Sequence, residues 1–161
     1  MGRVGQVVGH LTARVDPAEV ARARHLLPEG AWQLFAAMPV ADRRHALDVA
    51  GRLVADGQPD PDLLAAAMLH DAAKGPRLRL WHRVAGVLLE AIVPRALARL
   101  AVADDRSWRY PFHLYLHHAE LSAGAAQRAG CNERTVAFIR GAAPKVDAPL
   151  AVALRRADEA S

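Results

Sequence analysis

Apolar side chains recur along this chain three and four positions apart, which is the spacing of one face of a helix. Residues 40–55 illustrate it, with Ala46 and Leu53 on one side and charged side chains on the other. Residues 63–69 form a run whose only polar side-chain atom is the thioether sulfur of Met68. A helix without a polar face is buried on all sides, so this run is predicted to lie at the centre of the fold.

Start and stop signals divide the rest of the chain into further helices. Proline or a capping side chain opens most of them, and glycine closes several. The predicted segments are residues 17–27, 28–38, 84–93, 95–102, 110–129, 133–140 and a last helix that carries Leu150, Leu154 and Asp158. Only residues 4–8 alternate as a strand would, and residues 104–107 are a polar loop. No repeat or linker divides the chain, so the pattern predicts one all-α domain, a single-domain bundle of about seven to nine helices.

The composition fits one such domain and indicates the compartment in which the protein is found. A chain of 161 residues is long enough to bury one hydrophobic core. Its single cysteine, Cys131, cannot form an internal disulfide or a cysteine-based zinc site, which is typical of a cytoplasmic protein. Residues 1–12 lack the pattern of a signal peptide, and the longest apolar run, residues 84–93, is too short to span a membrane. We therefore expect a cytoplasmic protein with no membrane partner.

The charge balance is basic, with a formal net charge of +4 and a pI near 10.0. Arginine supplies 19 of the 21 basic residues, and guanidinium groups bind phosphate oxygens well. These arginines are dispersed along the chain, and aromatic side chains are not interleaved with them. The pattern therefore disfavours nucleic acid as the main partner.

Four polar side chains lie on, or at the end of, inward-facing helical stripes: His45, His70, Asp71 and Asp158. Each alone has an ordinary explanation, since a single inward histidine is usually a hydrogen-bonded core residue and Asp158 is close to the end of the chain. Together, two imidazoles and two carboxylates from three helices suit a divalent ion such as Mn, Fe, Co, Ni or Zn. Four protein ligands leave coordination positions open on an ion that accepts six. That is typical of a catalytic metal site.

The order of these residues resembles a known signature. His45, then His70-Asp71 after 25 residues, then Asp158 is similar to the H…HD…D pattern of the HD-domain metal-dependent phosphohydrolases. That superfamily is all-helical and acts mostly on nucleotide phosphates. The resemblance covers residues 42–161 as an HD core and leaves residues 1–40 as an N-terminal helical extension.

Within that superfamily, residues 70–74 and 118–123 most resemble the bacterial symmetrical diadenosine-tetraphosphate hydrolases. In those enzymes the equivalent of His118 contributes to a second metal position. They also carry a His-Thr-Thr-Gly element, where this chain has residues 139–142, including Arg140, and a helix after the last aspartate that this sequence lacks. These departures argue against a two-metal site and against that specific dinucleotide activity. His118 and Arg140 remain candidates for a second metal or for phosphate.

The resemblance implies a mechanism. A cation held by the four ligands would lower the pKa of a bound water, and the resulting hydroxide would attack phosphorus. Asp71 would serve as ligand and base, and Lys74 would either neutralise phosphate or complement a helix dipole. We therefore expect a metal-dependent phosphohydrolase acting on a small phosphorylated substrate, a nucleotide. The alternatives are an HD module that binds a ligand or regulates with little turnover, and a basic nucleic-acid binder.

Three further groups keep two interpretations each. His113 and His117, four positions apart, could chelate a metal from one helix face, which is an alternative to the site above because the family pattern matches neither of them. The aromatic side chains that could stack on a base, or pack in the core and at helix ends, are Trp81, Trp108, Tyr110 and Tyr115. The arginines that could grip phosphates, or form a solvated basic face, are Arg77, Arg79 and Arg83.

Overall fold

The fold is all-helical, as the spacing of apolar residues predicts. A computed structural model describes residues 15–75, 77–78 and 80–161, with the side chains of Leu80, Arg83 and Pro94 left out. Within these ranges every regular element is a helix and no strand occurs. The strand-like pattern at residues 4–8 lies outside the described part of the chain.

Nine α-helices make up the described part, which confirms the predicted fold class. They are α1 (Pro17–Arg24), α2 (Glu29–Ala36), α3 (Val40–Ala55), α4 (Pro61–Leu69), α5 (Leu80–Ile92), α6 (Pro94–Leu100), α7 (Tyr110–Arg128), α8 (Glu133–Arg140) and α9 (Ala148–Ala160). A 3-10 turn, Lys145–Asp147, precedes α9. None of the helices described here has the length and apolar character needed to cross a membrane.

Helix α4 occupies the centre of the bundle. All seven side chains from Leu63 to Leu69 are buried, and the helix packs against α2, α3, α7, α8 and α9. Asp60 caps its N-terminus, because one carboxylate oxygen accepts hydrogen bonds from two backbone amides of the first turn. This cap fixes where α4 begins, and the complete burial holds the helix in place. The residues that follow its C-terminal end are the histidine and aspartate of interest.

The end of α4 turns sharply instead of continuing as a helix. The amide of Ala73 donates a hydrogen bond to the hydroxyl of Ser122 on α7, at 3.0 Å, so it does not extend the helical ladder. Gly75 has a φ of +56°, a left-handed conformation that suits glycine and ends the turn. His70, Asp71 and Lys74 therefore lie on a compact turn that is fixed to α7.

A network around Arg134 connects three parts of the bundle. The guanidinium of Arg134, on α8, forms ion pairs with Asp60 and Asp62 at the start of α4, and with Asp147 just before α9. The distances from guanidinium nitrogen to carboxylate oxygen are 2.8, 3.1 and 2.9 Å. The network sets the position of α4 relative to α9, which carries Asp158.

Helices α5 and α6 pack against α7, beside the main core. Gly86 lies so close to the ring of Tyr115 that a Cβ added at Gly86 would come within 2.9 Å of that ring. The hydroxyl of Tyr115 donates a hydrogen bond to Glu90 at 2.8 Å. Helix α5 begins at Leu80, four residues before the predicted apolar segment, so it includes Trp81 and His82. These contacts hold one side of α5 against α7 and leave the other side outward.

Candidate metal centre

Three distant segments of the chain bring their polar side chains to one place. His45 comes from the middle of α3, His70 and Asp71 follow α4, and Asp158 lies near the end of α9. One ligand atom each of His45, His70 and Asp158 lie within 4.8 Å of one another, so these residues could hold a metal ion. Among the residues that the structure describes, this is the one group of three or more such side chains at that spacing.

A single carboxylate oxygen lies between the two imidazoles. Nε2 of His45 is 2.9 Å from Oδ1 of Asp158, and Nε2 of His70 is 3.3 Å from the same oxygen. The two rings are tilted, with centroids 5.5 Å apart. Both Nε2 atoms thus point toward one small volume, as they would around a shared cation.

The two nitrogens of His70 have different partners. Nδ1 lies 2.8 Å from the carbonyl oxygen of Ala67, which accepts a hydrogen bond and so fixes the proton on Nδ1. Nε2 is buried and has no hydrogen-bond partner among the described residues, although Oδ1 of Asp158 is close. Two acceptor atoms at that distance repel unless a positive charge, either a proton or a metal ion, lies between them.

Asp71 is almost completely buried, at 2% exposure, beside this volume. Its Oδ2 accepts a hydrogen bond from the ammonium of Lys74 at 2.5 Å and lies 3.6 Å from Nε2 of His70. Its Oδ1 has no hydrogen-bond partner in the described part. An unpaired buried carboxylate oxygen is costly, which makes it the second atom here that a cation would satisfy. Its role as a metal ligand stays a prediction.

His118, on α7, faces Asp71 from the other side. Its Nδ1 lies 2.8 Å from the carbonyl oxygen of Tyr115, so its Nε2 points away from the helix backbone and lies 4.0 Å from Oδ1 of Asp71. This repeats the arrangement of His70. Arg140 is occupied elsewhere, because it forms an ion pair with Glu120 at 2.9 Å. Of the two candidates for a second metal or phosphate, His118 is therefore the one that contacts the cluster.

The carboxylates of the cluster stay ionised despite burial. Burial alone would raise the pKa of Asp71, but His70 and Lys74 outweigh it and lower that pKa to about 2. Burial would likewise raise the pKa of Asp158, and the contacts with His45 and His70 hold it well below its usual range. The cluster therefore offers two ionised carboxylates beside its imidazoles.

The pKa values of the two buried imidazoles shift in opposite directions because their neighbours differ. Burial would lower the pKa of His70, but the carboxylates of Asp71 and Asp158 outweigh it and raise that pKa. Burial lowers the pKa of His118, and the ammonium of Lys74 lowers it further. Lys74 thus pairs with Asp71, a contact that neither interpretation of Lys74 from the sequence included.

Ser122 is a supporting residue that sequence reasoning missed. It is fully buried, and its hydroxyl fixes the turn that carries His70 and Asp71. A signal for it exists, since Ser122 follows His118 by four positions and shares its helix face. The fully buried hydroxyl therefore has a defined partner, the amide of Ala73.

The remaining candidate groups lie elsewhere. The rings of His113 and His117 are 4.6 Å apart, between centroids, and Tyr110 stacks on His113. Trp81 and Trp108 are 53% and 68% exposed, so neither is a core residue.

Trp81, Trp108 and Tyr110 line an open pocket together with Arg77, so base stacking there stays a prediction. Tyr115 is instead bonded to Glu90. Arg77 donates a hydrogen bond to the carbonyl of Asp105. Arg79 and the side chain of Arg83 lie outside the described part of the chain.

The donor set of the cluster fits a borderline divalent ion. Imidazole nitrogen and carboxylate oxygen are ligands that such ions accept. Two of the atoms here, Nε2 of His70 and Oδ1 of Asp71, are buried and have no hydrogen-bond partner among the described residues. No protein-family model, curated protein or solved structure matches this chain.

Proposed function

We propose that this chain is a metal-dependent phosphohydrolase of HD type that cleaves a phosphate ester or anhydride of a nucleotide. The observation that carries the proposal is the convergence of His45, His70 and Asp158 within 4.8 Å. The order of these residues along the chain, with Asp71 beside His70, supports the resemblance to HD phosphohydrolases.

The ligands would be the four residues of the HD signature. His45, His70 and Asp158 would supply three donor atoms, and the unpaired Oδ1 of Asp71 would supply the fourth. A bound Mn, Fe, Co, Ni or Zn ion would act as a Lewis acid and activate water for attack on phosphorus. The hydrogen bond from Nδ1 of His70 to Ala67 would keep its other nitrogen directed at the ion.

The residues around the cluster have separate roles. Asp71, with a pKa near 2, is a weak base at neutral pH, which favours its role as a ligand over the role of a base. Lys74 holds Oδ2 of Asp71 and adds a positive charge where a phosphate would bind. His118 presents its Nε2 beside Asp71 and would be the next group to meet the substrate or a second ion.

The alternative function is an HD module that binds a ligand or regulates a partner with little turnover. One observation favours it: Ile139 is buried, and Arg140 next to it is paired with Glu120. The element that supplies a second-metal histidine in the similar hydrolases therefore has no equivalent donor here. A basic nucleic-acid binder is supported only by the net charge.

Phosphate release separates these functions. We would measure release from a panel of nucleotides in Mn²⁺ for the wild type, for His70→Ala and for Asp71→Asn, with the exposed His25→Ala as matched control. A hydrolase loses about 100-fold or more of its activity in the first two variants and keeps it in the control. Bound metal with no release that depends on His70 would favour the regulatory module. Salt-dependent DNA binding that survives both substitutions would favour the nucleic-acid binder.

A further inference from the structure

One side of α5 is apolar and carries exposed side chains. Five side chains form this side, which we call the α5 face, and each is between 37% and 74% exposed: Trp81, Val84, Val87, Leu88 and Ile92. At 100° per residue they fall within about 140° of the helix circumference. No acidic or basic residue falls inside that sector. The α5 face is therefore a continuous apolar strip about 17 Å long.

The orientation of α5 is fixed by its opposite side. His82 is buried there, the backbone at Gly86 touches the ring of Tyr115, and Glu90 accepts a hydrogen bond from the same tyrosine. Rotating α5 to hide the α5 face would break these contacts. The outward position of the apolar strip thus follows from the packing of α5 on α7.

Exposed apolar side chains are concentrated in this region. Ten large hydrophobic residues are exposed in the described part of the chain, and seven of them lie between Trp81 and Trp108. Val93 and Trp108, at 46% and 68% exposure, extend the apolar surface beyond α5. Scattered exposed side chains are normal on a protein surface, whereas a cluster of this kind marks an interaction site.

The same region carries the net charge of the protein. Residues 77–109 contain seven arginines and three carboxylates, an excess of four, which equals the net charge of the whole chain. The remaining residues are therefore balanced. Among the arginines described, four are exposed: Arg77, Arg95, Arg99 and Arg106. Arg77 and Arg106 line one open pocket with Trp81 of the α5 face, and Arg95 and Arg99 lie on α6, which packs against α5. An apolar strip with arginines beside it is complementary to a surface that is apolar inside and anionic outside.

We propose that the α5 face docks onto an anionic lipid membrane, with α5 parallel to the surface and the arginines beside the phosphate headgroups. Helices that lie in the membrane interface combine an apolar face that includes tryptophan with a basic rim. A second copy of the chain fits less well, because a symmetric pair would bring two regions of like charge together. The inference is independent of the proposed function, and it differs from the sequence expectation, which considered only segments that cross a membrane.

Vesicle sedimentation with the full chain tests the proposal. We expect the wild type to bind vesicles of phosphatidylcholine with about one-third phosphatidylglycerol, and to bind pure phosphatidylcholine about tenfold less or weaker. Val84→Glu, at 50% exposure, places a carboxylate in the α5 face and reduces binding about tenfold. The matched control is Val54→Glu on α3, at 53% exposure, which leaves binding unchanged. Leu88→Gln is a second variant in case the first loses its helical circular dichroism.

The arginines provide an independent arm of the same test. Neutralising Arg95 and Arg99 together, as Arg95→Gln/Arg99→Gln, reduces binding about fivefold for each arginine, and added salt reduces wild-type binding in the same direction. The control Arg22→Gln/Arg128→Gln, exposed on α1 and α7, changes binding little.

Three results would overturn the proposal. Wild-type protein that fails to bind the anionic vesicles is one, and equal binding by the Val84 and Val54 variants is another. The third is a dimer in light scattering that Val84→Glu converts to a monomer while no vesicle binding is found. That result would assign the α5 face to an interface between copies.

Discussion

The candidate site depends most directly on the imidazole side chain of His70. Its Nδ1 is hydrogen-bonded to the backbone of its own helix, so its Nε2 must be satisfied by something outside that helix. Within the described residues nothing donates to that atom, and an ionised carboxylate faces it at 3.3 Å. A proton or a divalent cation between these two atoms would satisfy both of them, and the proposed function requires the cation.

Lys74 gives a prediction at the scale of a single residue. Its ammonium is bonded to the buried carboxylate of Asp71, so Lys74→Met leaves a buried charge without its partner. In the absence of metal we expect the free energy of unfolding to fall by about 2–4 kcal/mol, measured by denaturant titration. Added Mn²⁺ should restore part of the loss, because it compensates the same carboxylate.

The only other lysine, the exposed Lys145, is the matched control. Lys145→Met should change the free energy of unfolding by no more than about 0.5 kcal/mol. Equal effects of the two substitutions would mean that the contact between Lys74 and Asp71 contributes nothing to stability.

The individual residues of the site were predictable to different degrees. His45 and Asp158 could be assigned from helical phase, because each lies one turn from an apolar side chain on the same helix face. The pairing of Lys74 with Asp71 spans three positions, a spacing at which side chains on one helix face can meet. The hydrogen bond between Ala73 and Ser122, 49 positions apart, could not be predicted. Local pattern contains no information about such a contact.

At the scale of helices, the contact between α5 and α7 decides which side of α5 faces outward. The contact is close because Gly86 has no side chain. We expect Gly86→Ala to force the ring of Tyr115 aside and to lower the free energy of unfolding by about 1–3 kcal/mol.

Gly51→Ala on α3 is the control, since a Cβ at Gly51 meets nothing within 4 Å. That substitution should raise stability by about 0.5–1 kcal/mol through helix propensity. Chemical denaturation measures the free energy of unfolding of both variants. A change in the same direction for both would contradict the close packing of Gly86 on Tyr115.

The sequence predicted where a helix begins when a capping side chain precedes it. It did not predict features that depend on tertiary contacts. Asp16, Asp60 and Asn132 each accept a backbone hydrogen bond at the start of the helix that their sequence predicts. The outward position of the α5 face was not predictable. Periodicity identifies which side of a helix is apolar, but it does not say whether another element covers that side.

At the scale of the whole molecule, Arg134 connects the helix before His70 to the segment before Asp158. Burial would raise the pKa of Asp62, but Asn132 and Arg134 outweigh it and lower that pKa; the hydrogen bond with Arg134 lowers the pKa of Asp147. A carboxylate whose pKa is lower in the folded state stabilises above its unfolded pKa, near 4, and this contribution disappears as the pH falls through the folded pKa. The stability of the wild type should therefore decrease below about pH 4.

Arg134→Met tests that relation. We expect the variant to be less stable than the wild type at pH 7, and the difference to shrink as the pH falls from about 4 to 2, because protonated carboxylates gain nothing from Arg134. Thermal unfolding across this range measures it. A difference in stability that stays constant with pH would mean that Arg134 does not stabilise the fold through its ion pairs.

The central claim is that His45, His70, Asp71 and Asp158 hold a divalent ion, and metal stoichiometry tests it most directly. Protein equilibrated with Mn²⁺ or Zn²⁺ and then freed of unbound ion should retain about one ion per chain. Asp158→Ala and His45→Ala should each lose most of it, since each removes one of the converging ligand atoms, while the exposed His25→Ala should retain it. Wild-type protein that holds no stoichiometric ion, or an Asp158→Ala variant that binds as much as the wild type, would contradict the account.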